Sequence, residues 1–309
     1  MKVAAVILNY NDADETIEAV RRIAGFASLS TIIVVDNAST DGSADRLKGW
    51  LREENHRFVA AEEADETDDD DEAEQFHRYM LVKAEKNGGY GYGNNLGVQY
   101  AYEIAGADLV LIANPDAVFD EDCLRKVITC FEDEPNAAVV SVPSLGRGGK
   151  PEWQISAWPL RSFFGELLHT GPLMKRLFRH WLEYPEKKFA GGGPVRVDAV
   201  HGAFLMVDAD RFMACGGFDE NVFLYGEENI LAFKMQDNGS KTMLLTDCSY
   251  WHKGSGTISA SYNVVERQKL RQTSEMYYFK HYLEISRAEQ AAAVLFQKLV
   301  LLETRLFLQ

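Results

Sequence analysis

The sequence predicts an α/β fold in which helices flank a mixed, mostly parallel central sheet. Apolar β-branched runs at residues 3–8 and 31–35 surround an amphipathic stretch at 13–26, which is the pattern of a βαβ unit. The 309-residue chain is 46% hydrophobic and 11% aromatic, so it can bury a large core, and this composition excludes disordered and fibrous classes. One α/β domain with additions accounts for the length.

The next segments continue this alternation of strands and helices. Residues 43–54 have the pattern of a second helix, and residues 79–84 have that of a third strand. A helix is predicted at 94–105, and the uniformly apolar residues 109–113 predict a buried strand. The first 145 residues therefore have the organisation of a doubly wound sheet.

An acidic segment interrupts the alternation. Ten Asp and Glu residues lie between Glu62 and Glu74 without a Lys or Arg among them, so the formal net charge of −15 is mostly local. Like charges repel and cannot pack, and the segment lacks the Gly turn and ligand spacing of a calcium loop. We therefore expect a disordered insertion at about 61–76. The charge balance supplies no broad basic surface, which excludes nucleic acid as a partner.

A basic, aromatic-rich segment follows at about 160–189. Its Lys and Arg residues are interleaved with large apolar side chains, which predicts an amphipathic helix with a cationic face. Such a helix can lie on an anionic bilayer or pack against its own domain. Both interpretations stay open here, and they also apply to a final helix at 288–308.

The chain has the features of a cytoplasmic protein. Its apolar N-terminal run is too short for a signal peptide, and no apolar stretch reaches the roughly 18 residues of a membrane span. The cysteines at 123, 130, 215 and 248 show neither CxxC pairing nor close His partners, so we expect free thiols. Peripheral contact with the inner face of the cell membrane remains open.

Polar clusters follow four of the predicted strands, at 9–11, 36–41, 87–95 and 114–116. Ligands of open α/β sheets bind beyond the carboxyl ends of the strands, so we expect these clusters to converge on one crevice. Within the last cluster, Asn114 and Asp116 offer oxygen ligands suited to Mg²⁺ or Mn²⁺. Asn-Pro-Asp is also good turn chemistry, which is the alternative interpretation.

The other clusters suit a nucleotide. Asp36 and Asn37 can pair with a base or ribose, while residues 39–43 cap the next helix. The glycine-rich residues 86–95 precede a predicted helix and can bring backbone N–H groups close to a phosphate. The GxGxxG and GxxxxGK[ST] motifs are absent, which disfavours dehydrogenases and P-loop enzymes. Residues 3–11 contain neither Gly nor Arg, which disfavours a sugar nucleotidyltransferase.

Glu227 and Glu228 are adjacent at the predicted start of a helix. Neighbouring helical residues point about 100° apart, so at most one of them faces a given reacting atom. Stabilisation of the helix dipole is the alternative role for such carboxylates.

The order of these motifs resembles that of family 2 glycosyltransferases with the GT-A fold, and especially of their bacterial rhamnosyltransferase-like branch. The similarity covers roughly residues 2–282. Its motifs are ILNYN (7–11), VVDNASTDGS (34–43), NGGYGYGNNLG (87–97), LIANPDA (111–117), HGAFLMV (201–207), GGFDENVFLYGEEN (216–229) and HKGSGT (252–257). The resemblance implies a Rossmann-like GT-A domain at 1–258, with both insertions, and a C-terminal helical extension at 259–309.

The resemblance also implies the activity and its residues. The expected reaction is an inverting transfer of a rhamnose-like or other hexose from a dTDP- or UDP-sugar to a hydroxyl of a glycan or lipid-linked glycan, in cell-surface polysaccharide synthesis. The implied donor-binding residues are Asn9, Tyr10, Asn11, Asp36, Asn37, Asn87, Gly88, Tyr90, Gly91, Asn95, Asn114 and Asp116. The other implied roles are Asp116 and His252 for a divalent metal, Mg²⁺ or Mn²⁺; His201, Gly202, Ala203 and Tyr225 for the acceptor; and Glu228, beside Glu227, for catalysis as the base.

The sequence departs from the family pattern at three points. Asn114 replaces the first acid of the usual Asp-x-Asp, Glu227-Glu228 replaces a common Glu-Asp pair, and Ile230 stands where an acid is often found. Two hypotheses follow from these departures: an active glycosyltransferase, or a catalytically weak homologue that binds nucleotide sugar as a scaffold. Lys253, Ser255 and Thr257 of the HKGSGT run can donate to phosphate oxygens in either case.

Overall fold

The computed structural model describes residues 1–54, 58–60, 79–254 and 262–307. The predicted acidic insertion at 61–76 lies outside the described residues, as do Ser255, Thr257 and the predicted domain boundary at 258. The predicted α/β class is confirmed, because a large sheet is covered by helices on both faces.

The main sheet has nine strands in the order β10-β13-β7-β12-β5-β1-β2-β4-β3, and it is mostly parallel. Strand β12 runs antiparallel to β5 and β7, and β10 runs antiparallel to β13. The strands are β1 (Val3–Asn9), β2 (Thr31–Asp36), β3 (Phe58–Ala60), β4 (Tyr79–Lys83), β5 (Leu109–Ala113), β6 (Ala117–Val118), β7 (Ala137–Ser141), β8 (Ser144–Leu145), β9 (Ala157–Trp158), β10 (Pro194–Val197), β11 (Ala199–Val200), β12 (Phe204–Asp208), β13 (Lys241–Leu245) and β14 (Tyr250–His252).

Helices lie on both faces of this sheet, which explains why the central strands are buried along their whole length. Helices α1, α2 and α4 cover one face, and α3, α9 and α10 cover the other. The helices are α1 (Ala13–Ile23), α2 (Ser43–Glu54), α3 (Gly89–Glu103), α4 (Glu121–Asp133), α5 (Trp153–Ser156), α6 (Phe163–Thr170), α7 (Pro172–Leu177), α8 (Arg179–Leu182), α9 (Ala209–Ala214), α10 (Glu227–Asp237), α11 (Val264–His281) and α12 (Arg287–Phe307), with a 3₁₀ turn at Glu186–Phe189.

Strand direction brings two distant parts of the chain to one edge of the sheet. The parallel strands β1, β2, β4 and β5 all end at this edge. Because β12 is antiparallel to β5, with Phe204 opposite Ala113, the residues before β12 lie at the same edge. The Asn114 backbone N–H donates to the Ala203 carbonyl at 2.9 Å and joins the two segments. The crevice is thus built from the ends of parallel strands and the beginning of an antiparallel one.

The glycine-rich segment is helical, which corrects the prediction of a loop before a helix at residue 94. Helix α3 begins at Gly89. A Cβ on Gly93 would lie 2.4 Å from Leu8 Cδ1, and one on Gly97 would lie 2.4 Å from Val6 Cγ1. The glycines therefore let α3 pack directly on β1, and this contact outweighs their low helix propensity of about 1 kcal/mol per residue.

The basic segment is not one amphipathic helix, as its pattern predicted, but three short helices and a 3₁₀ turn. The first break falls at Gly171-Pro172, where Pro172 starts α7 because its ring favours a first helical position. A Cβ on Gly171 would lie 3.2 Å from Val300 Cγ2, so the break is packed against α12.

The two C-terminal helices join the rest of the protein through a third apolar core. Phe279 and Tyr278 of α11 and Ala293 of α12 pack with Phe163 of α6 and Ile230 of α10. Ile230, which stands where the family often has an acid, is therefore a fully buried core residue.

All four cysteines are free thiols, as their spacing predicted. Across the described ranges, the helices include none with the length and apolarity that a bilayer crossing requires.

Candidate active site

Two adjoining cavities open at the crevice edge of the sheet. The first cavity, of about 240 Å³, lies at the ends of β1, β2 and β5. The second cavity, of about 400 Å³, lies between the segment before β12, the start of α10, and helices α6, α7 and α11. Tyr90, Asn114 and Leu224 line both cavities, so the two spaces share a wall.

Half of the predicted donor-binding residues line the first cavity. They are Tyr10, Asn37, Asn87, Tyr90, Asn114 and Asp116. Asn37 is buried, and its amide nitrogen donates to Asn87 Oδ1 at 3.1 Å and to the Gly89 carbonyl at 3.0 Å. Its Oδ1 has no hydrogen-bond partner among the described residues. This oxygen can therefore accept a hydrogen bond from an N–H or O–H group of a ligand.

Asn9 and Asp36 lie behind this wall. The Asn9 amide donates to Asp36 Oδ1 at 2.7 Å and accepts from Thr16 Oγ1 at 2.8 Å. Asp36 Oδ2 accepts from the Ser39 backbone N–H at 3.1 Å. Both side chains are therefore occupied in holding the ends of β1 and β2 together, and Asn11 continues this linkage by accepting from the Thr40 N–H at 2.8 Å.

Gly88, Gly91 and Asn95 are also turned away from the first cavity. A Cβ on Gly91 would lie 2.9 Å from Phe218 Cβ, and one on Gly88 would lie 2.4 Å from Tyr92 Cγ. The Asn95 side-chain amide accepts from the Phe218 backbone N–H at 2.8 Å and donates to the Phe218 carbonyl at 2.9 Å. Asn95 thus anchors the loop before α10, whereas the sequence placed it near the ribose and diphosphate.

Asp116 carries an unpartnered carboxylate in the wall of the first cavity. The Asn-Pro-Asp turn is present, since the Ala117 N–H donates to the Asn114 carbonyl at 3.0 Å, but the Asp116 side chain takes no part in it. The residue is only 6% exposed, and neither carboxylate oxygen has a hydrogen-bond donor among the described residues. Burying such a group without a partner is costly, which points to a bound cation or donor.

His252 faces the same carboxylate. Its Nε2 lies 3.2 Å from Asp116 Oδ2 without hydrogen-bond geometry, and it is likewise unpartnered. A carboxylate and an imidazole suit Mn²⁺ or Mg²⁺. The described residues contain no group of three or more His, Cys, Asp and Glu side chains that could hold a metal alone. The pair therefore fits a divalent ion that draws its remaining ligands from water or a bound nucleotide.

Cations lie beside this pair. Glu15 Oε1 pairs with Lys253 Nζ at 2.9 Å and with Arg22 Nη2 at 3.4 Å. Arg22 also donates to the Pro115 carbonyl, which fixes the turn that carries Asp116. Lys253 lines the first cavity and can meet an anionic ligand there.

Glu228 lies in the second cavity and is oriented by the segment before β12. Its Oε1 accepts from the Gly202 N–H at 3.2 Å, while Tyr90 Oη donates to the Gly202 carbonyl at 2.6 Å. A Cβ on Gly202 would lie 3.0 Å from both Glu228 Oε1 and Tyr90 Oη. The predicted acceptor residue Gly202 therefore positions Glu228 through its backbone, whereas the Ala203 N–H donates to His201 Nδ1.

The two adjacent glutamates differ in their electrostatics. Burial and the nearby Glu228 charge raise the pKa of Glu227 to about 8, and its Oε1 has no partner among the described residues. Burial also raises the pKa of Glu228, but backbone N–H groups and Arg271 oppose this shift. The hydrogen bond from the Gly202 N–H favours the charged form of Glu228, which suits a proton acceptor.

His201 is a neutral wall residue of the second cavity. Burial, followed by the neighbouring His252, lowers the pKa of His201 to about 4. Its Nδ1 accepts from the Ala203 N–H at 3.3 Å, which assigns the ring proton to Nε2. Tyr225 lines the same cavity at a φ of +71°, with Arg271 4.9 Å above its ring.

Sequence reasoning missed a group of charged and polar residues in the second cavity. They are Trp158, Arg161, Glu166, His169, Lys175, Asn229, Arg271 and Glu275. Most belong to the basic segment or to α11, which the sequence associated with a membrane or an extension. Only the position of Asn229, directly after the two glutamates, could have indicated it.

The model of the Glycosyl transferase family 2 matches residues 4–211, which include the crevice-forming strands and Asp116. The chain belongs to this family. The low-salt glycan biosynthesis hexosyltransferase Agl10 of Haloferax volcanii is 24% identical over 226 residues, which make up 73% of this chain and 59% of that protein. The chain thus spans less than two thirds of the length of this family relative.

Solved glycosyltransferase structures share the fold. The mannosyltransferase PcManGT of Pyrobaculum calidifontis, in complex with GDP-Man and Mn²⁺, aligns with a TM-score of 0.55 at 16% identity and covers 98% of this chain and 75% of its own. GalNAc-T7 with UDP, GalNAc and Mn²⁺ aligns with a TM-score of 0.59 at 15% identity and covers 94% of this chain and 51% of its own. The fold of this family 2 glycosyltransferase is therefore GT-A.

Proposed function

We propose that the protein is an inverting glycosyltransferase that transfers a hexose, rhamnose-like or other, from a dTDP- or UDP-sugar to a hydroxyl of a glycan in cell-surface polysaccharide synthesis. The observation that carries this proposal is the unpartnered carboxylate of Asp116 in the first cavity, next to a second cavity that contains Glu228. Donor and acceptor would then meet at the wall formed by Tyr90 and Asn114.

In this proposal the first cavity binds the nucleoside diphosphate. Asn37 Oδ1 accepts from the base or ribose, and Lys253 pairs with the diphosphate. Asp116 and His252 hold a divalent ion, Mn²⁺ or Mg²⁺, which when bound neutralises negative charge on the leaving diphosphate. The Mn²⁺ in the complexes of PcManGT and GalNAc-T7 supports this choice of metal.

Glu228 is the proposed general base. The acceptor oxygen attacks the anomeric carbon as its proton passes to Glu228, and the bond to the diphosphate breaks on the opposite side, so the configuration inverts. The Gly202 N–H holds the accepting oxygen in place. His201 stays neutral and adds no charge that would compete for Glu228.

A membrane surface is the proposed location of the acceptor. Leu173, Leu177 and Trp181 of α7 and α8 are exposed, Trp181 by 80%. They adjoin α12, because the Leu173 N–H donates to Glu303 Oε1 at 2.9 Å, and α12 exposes Leu299, Leu302 and Leu306. The cations of the basic segment border this apolar surface, which suits an anionic bilayer. A lipid-linked glycan would then reach the second cavity from the membrane side.

The decisive experiment is a calorimetric titration with dTDP, UDP and GDP, with and without Mn²⁺. We expect Mn²⁺-dependent binding of dTDP or UDP, lost in Asp116→Ala and retained in the control Asp122→Ala, whose side chain is exposed and 2.8 Å from Lys126. No nucleotide binding under either condition would overturn the donor site. Nucleotide binding without release of diphosphate in the presence of glycan acceptors would favour the scaffold hypothesis.

A further inference from the structure

The second cavity has a cationic wall in addition to the metal-site candidate His252. Arg161, Lys175 and Arg271 line it; Arg161 lies two residues before α6, Lys175 in α7 and Arg271 in α11. Arg161 is neutralised, because its Nη1 lies 3.3 Å from Glu166 Oε1 and its Nε donates to the Leu182 carbonyl at 2.7 Å. Two cations, Lys175 and Arg271, remain to be accounted for.

Lys175 is half-buried without a counter-ion. Among the described residues its ammonium has neither an ion pair nor a hydrogen bond, and burial together with the charges of Arg161 and Arg271 lowers its pKa. Glu183 opposes this shift, but Glu183 is paired with Arg179 at 2.7 Å. A partly desolvated ammonium beside other cations is unfavourable by itself, and a bound anion would compensate it.

Arg271 is held without an ion pair. Its guanidinium lies 4.9 Å from the centre of the Tyr225 ring, which orients the group while leaving its N–H donors free, and the described residues offer it no carboxylate within 4 Å. Its positive charge nevertheless opposes the rise in the pKa of Glu228 and of Glu275, so Arg271 lies close enough to interact with both carboxyls of the cavity. A planar guanidinium can bind two phosphate oxygens at once.

The acidic groups of the cavity cancel these charges only in part, because Glu228, on which the charge of Arg271 acts, can carry one negative charge against the two cations. Glu166 is already paired with Arg161. Burial raises the pKa of Glu275 to about 7, and burial with the Glu228 charge raises that of Glu227 to about 8, so both carboxyls resist ionisation at neutral pH. Burial lowers the pKa of His169 to about 2, so this residue stays neutral.

We propose that Lys175 and Arg271 bind an anionic group of the acceptor, a phosphate or diphosphate, while its hydroxyl is presented to Glu228. This proposal rests on the proposed function, because it names the substrate class of the second cavity. Lys175 shares α7 with the exposed Leu173 and Leu177. A diphosphate joined to a lipid would therefore place the lipid on the apolar surface, whereas a phosphate within a glycan would not use it.

The test is calorimetric binding of methylenediphosphonate in EDTA, because the first cavity is expected to bind a diphosphate only together with a divalent ion. We expect the dissociation constant to rise at least about tenfold in Lys175→Gln and in Arg271→Gln. It should stay unchanged in Lys188→Gln, a matched control whose ammonium lies 4.7 Å from the Tyr184 ring, outside the cavity. Absence of binding to the wild type, or equal binding by all four proteins, would overturn the proposal.

Further measurements distinguish loss of anion binding from damage to the donor site or to the fold. UDP titrations of the same variants should match the wild type, which shows that the donor site is intact. Unchanged melting temperatures show that the variants fold. Dodecyl diphosphate distinguishes the two sources of the anion. Binding at least about tenfold tighter than methylenediphosphonate, reduced by Leu177→Ser, assigns a lipid-linked acceptor, and equal binding assigns a phosphate within a glycan.

Discussion

Glu227 and Glu228 are neighbours in sequence, yet their surroundings give them different chemistry. Glu228 accepts a hydrogen bond from the Gly202 N–H, whereas Glu227 is 3% exposed with an unpartnered Oε1. The sequence predicted both as catalytic candidates and expected at most one to face a given reacting atom. The family resemblance assigned the base to Glu228, but helix geometry alone could not rank the two, because their surroundings include Gly202 and Arg271, which are distant in the chain.

Replacing Glu228 with Gln tests its proposed role as base. We expect kcat to fall by about 10²- to 10⁴-fold with little change in donor affinity, because Gln keeps the shape but cannot accept the proton. Steady-state release of nucleoside diphosphate measures this, and Glu132→Gln on the exposed side of α4 is the control. A Glu228→Gln variant that retained more than about a tenth of the wild-type kcat would show that another group is the base.

The buried carboxyl of Glu227 makes stability depend on pH. The unfolded chain releases this proton near the ordinary value of 4.5, but the folded protein keeps it until about pH 8. The free energy of unfolding should therefore fall as pH rises from about 4.5 to 8. In Glu227→Gln this fall should be shallower, and it should not vanish, because Glu275 titrates in the same direction. Melting temperatures across this range measure the effect, and identical slopes would contradict it.

Among the elements, α3 shows how packing overrides local propensity. A helix at this place was predicted from the sequence, but its first turn was predicted as a loop because three glycines fall within Gly89–Gly93. The tight contact with Leu8 of β1 makes glycine necessary there. A local pattern cannot reveal such a contact, because it depends on how closely a helix and a sheet approach each other.

Two Gly→Ala substitutions in helices provide a matched test of this contact. A Cβ on Gly97 of α3 would lie 2.4 Å from Val6 Cγ1, whereas one on Gly49 of α2 meets nothing within 4 Å. We expect Gly97→Ala to lose about 1–3 kcal/mol through overpacking. Gly49→Ala should gain up to about 1 kcal/mol through helix propensity. Urea unfolding measures both, and a stabilised Gly97→Ala would show that α3 is not so closely packed.

At the scale of the whole molecule, the C-terminal helices are part of the acceptor side of the protein. Helix α11 supplies Arg271 and Glu275 to the second cavity. Tyr277 of α11 and Tyr282, which follows the helix, donate from their hydroxyls to Asp219 Oδ2 in the loop before α10, at 3.1 and 2.6 Å. The division into a domain at 1–258 and an extension at 259–309 remains a prediction. The shared core around Phe279 nevertheless couples the two segments physically.

The proposed membrane surface can be tested with vesicles. We expect the wild type to bind vesicles of mixed phosphatidylglycerol and phosphatidylcholine at low salt, and binding to weaken as salt screens the cations. A double variant, Leu177→Ser with Trp181→Ser, should bind at least about tenfold more weakly, whereas Ile104→Ser, an exposed apolar residue on another face, should not. Sedimentation with vesicles measures this, and failure of the wild type to bind would remove the membrane from the proposal.

The amino-acid sequence by itself determined the order of the central strands and helices and the polar clusters at their ends, because apolar periodicity and turn chemistry are local properties of the chain. It also predicted Asp116 and Glu228 from the family's motif order. Only the tertiary structure decided which polar groups remain unpartnered. The side chains of Asn9 and Asp36 are hydrogen-bonded to each other, whereas the Asp116 carboxylate lies beside His252 without a hydrogen bond. Burial and hydrogen-bond partners come from residues far apart in the chain. Which polar residues position others and which are free to bind a ligand is therefore decided only when the strands are assembled.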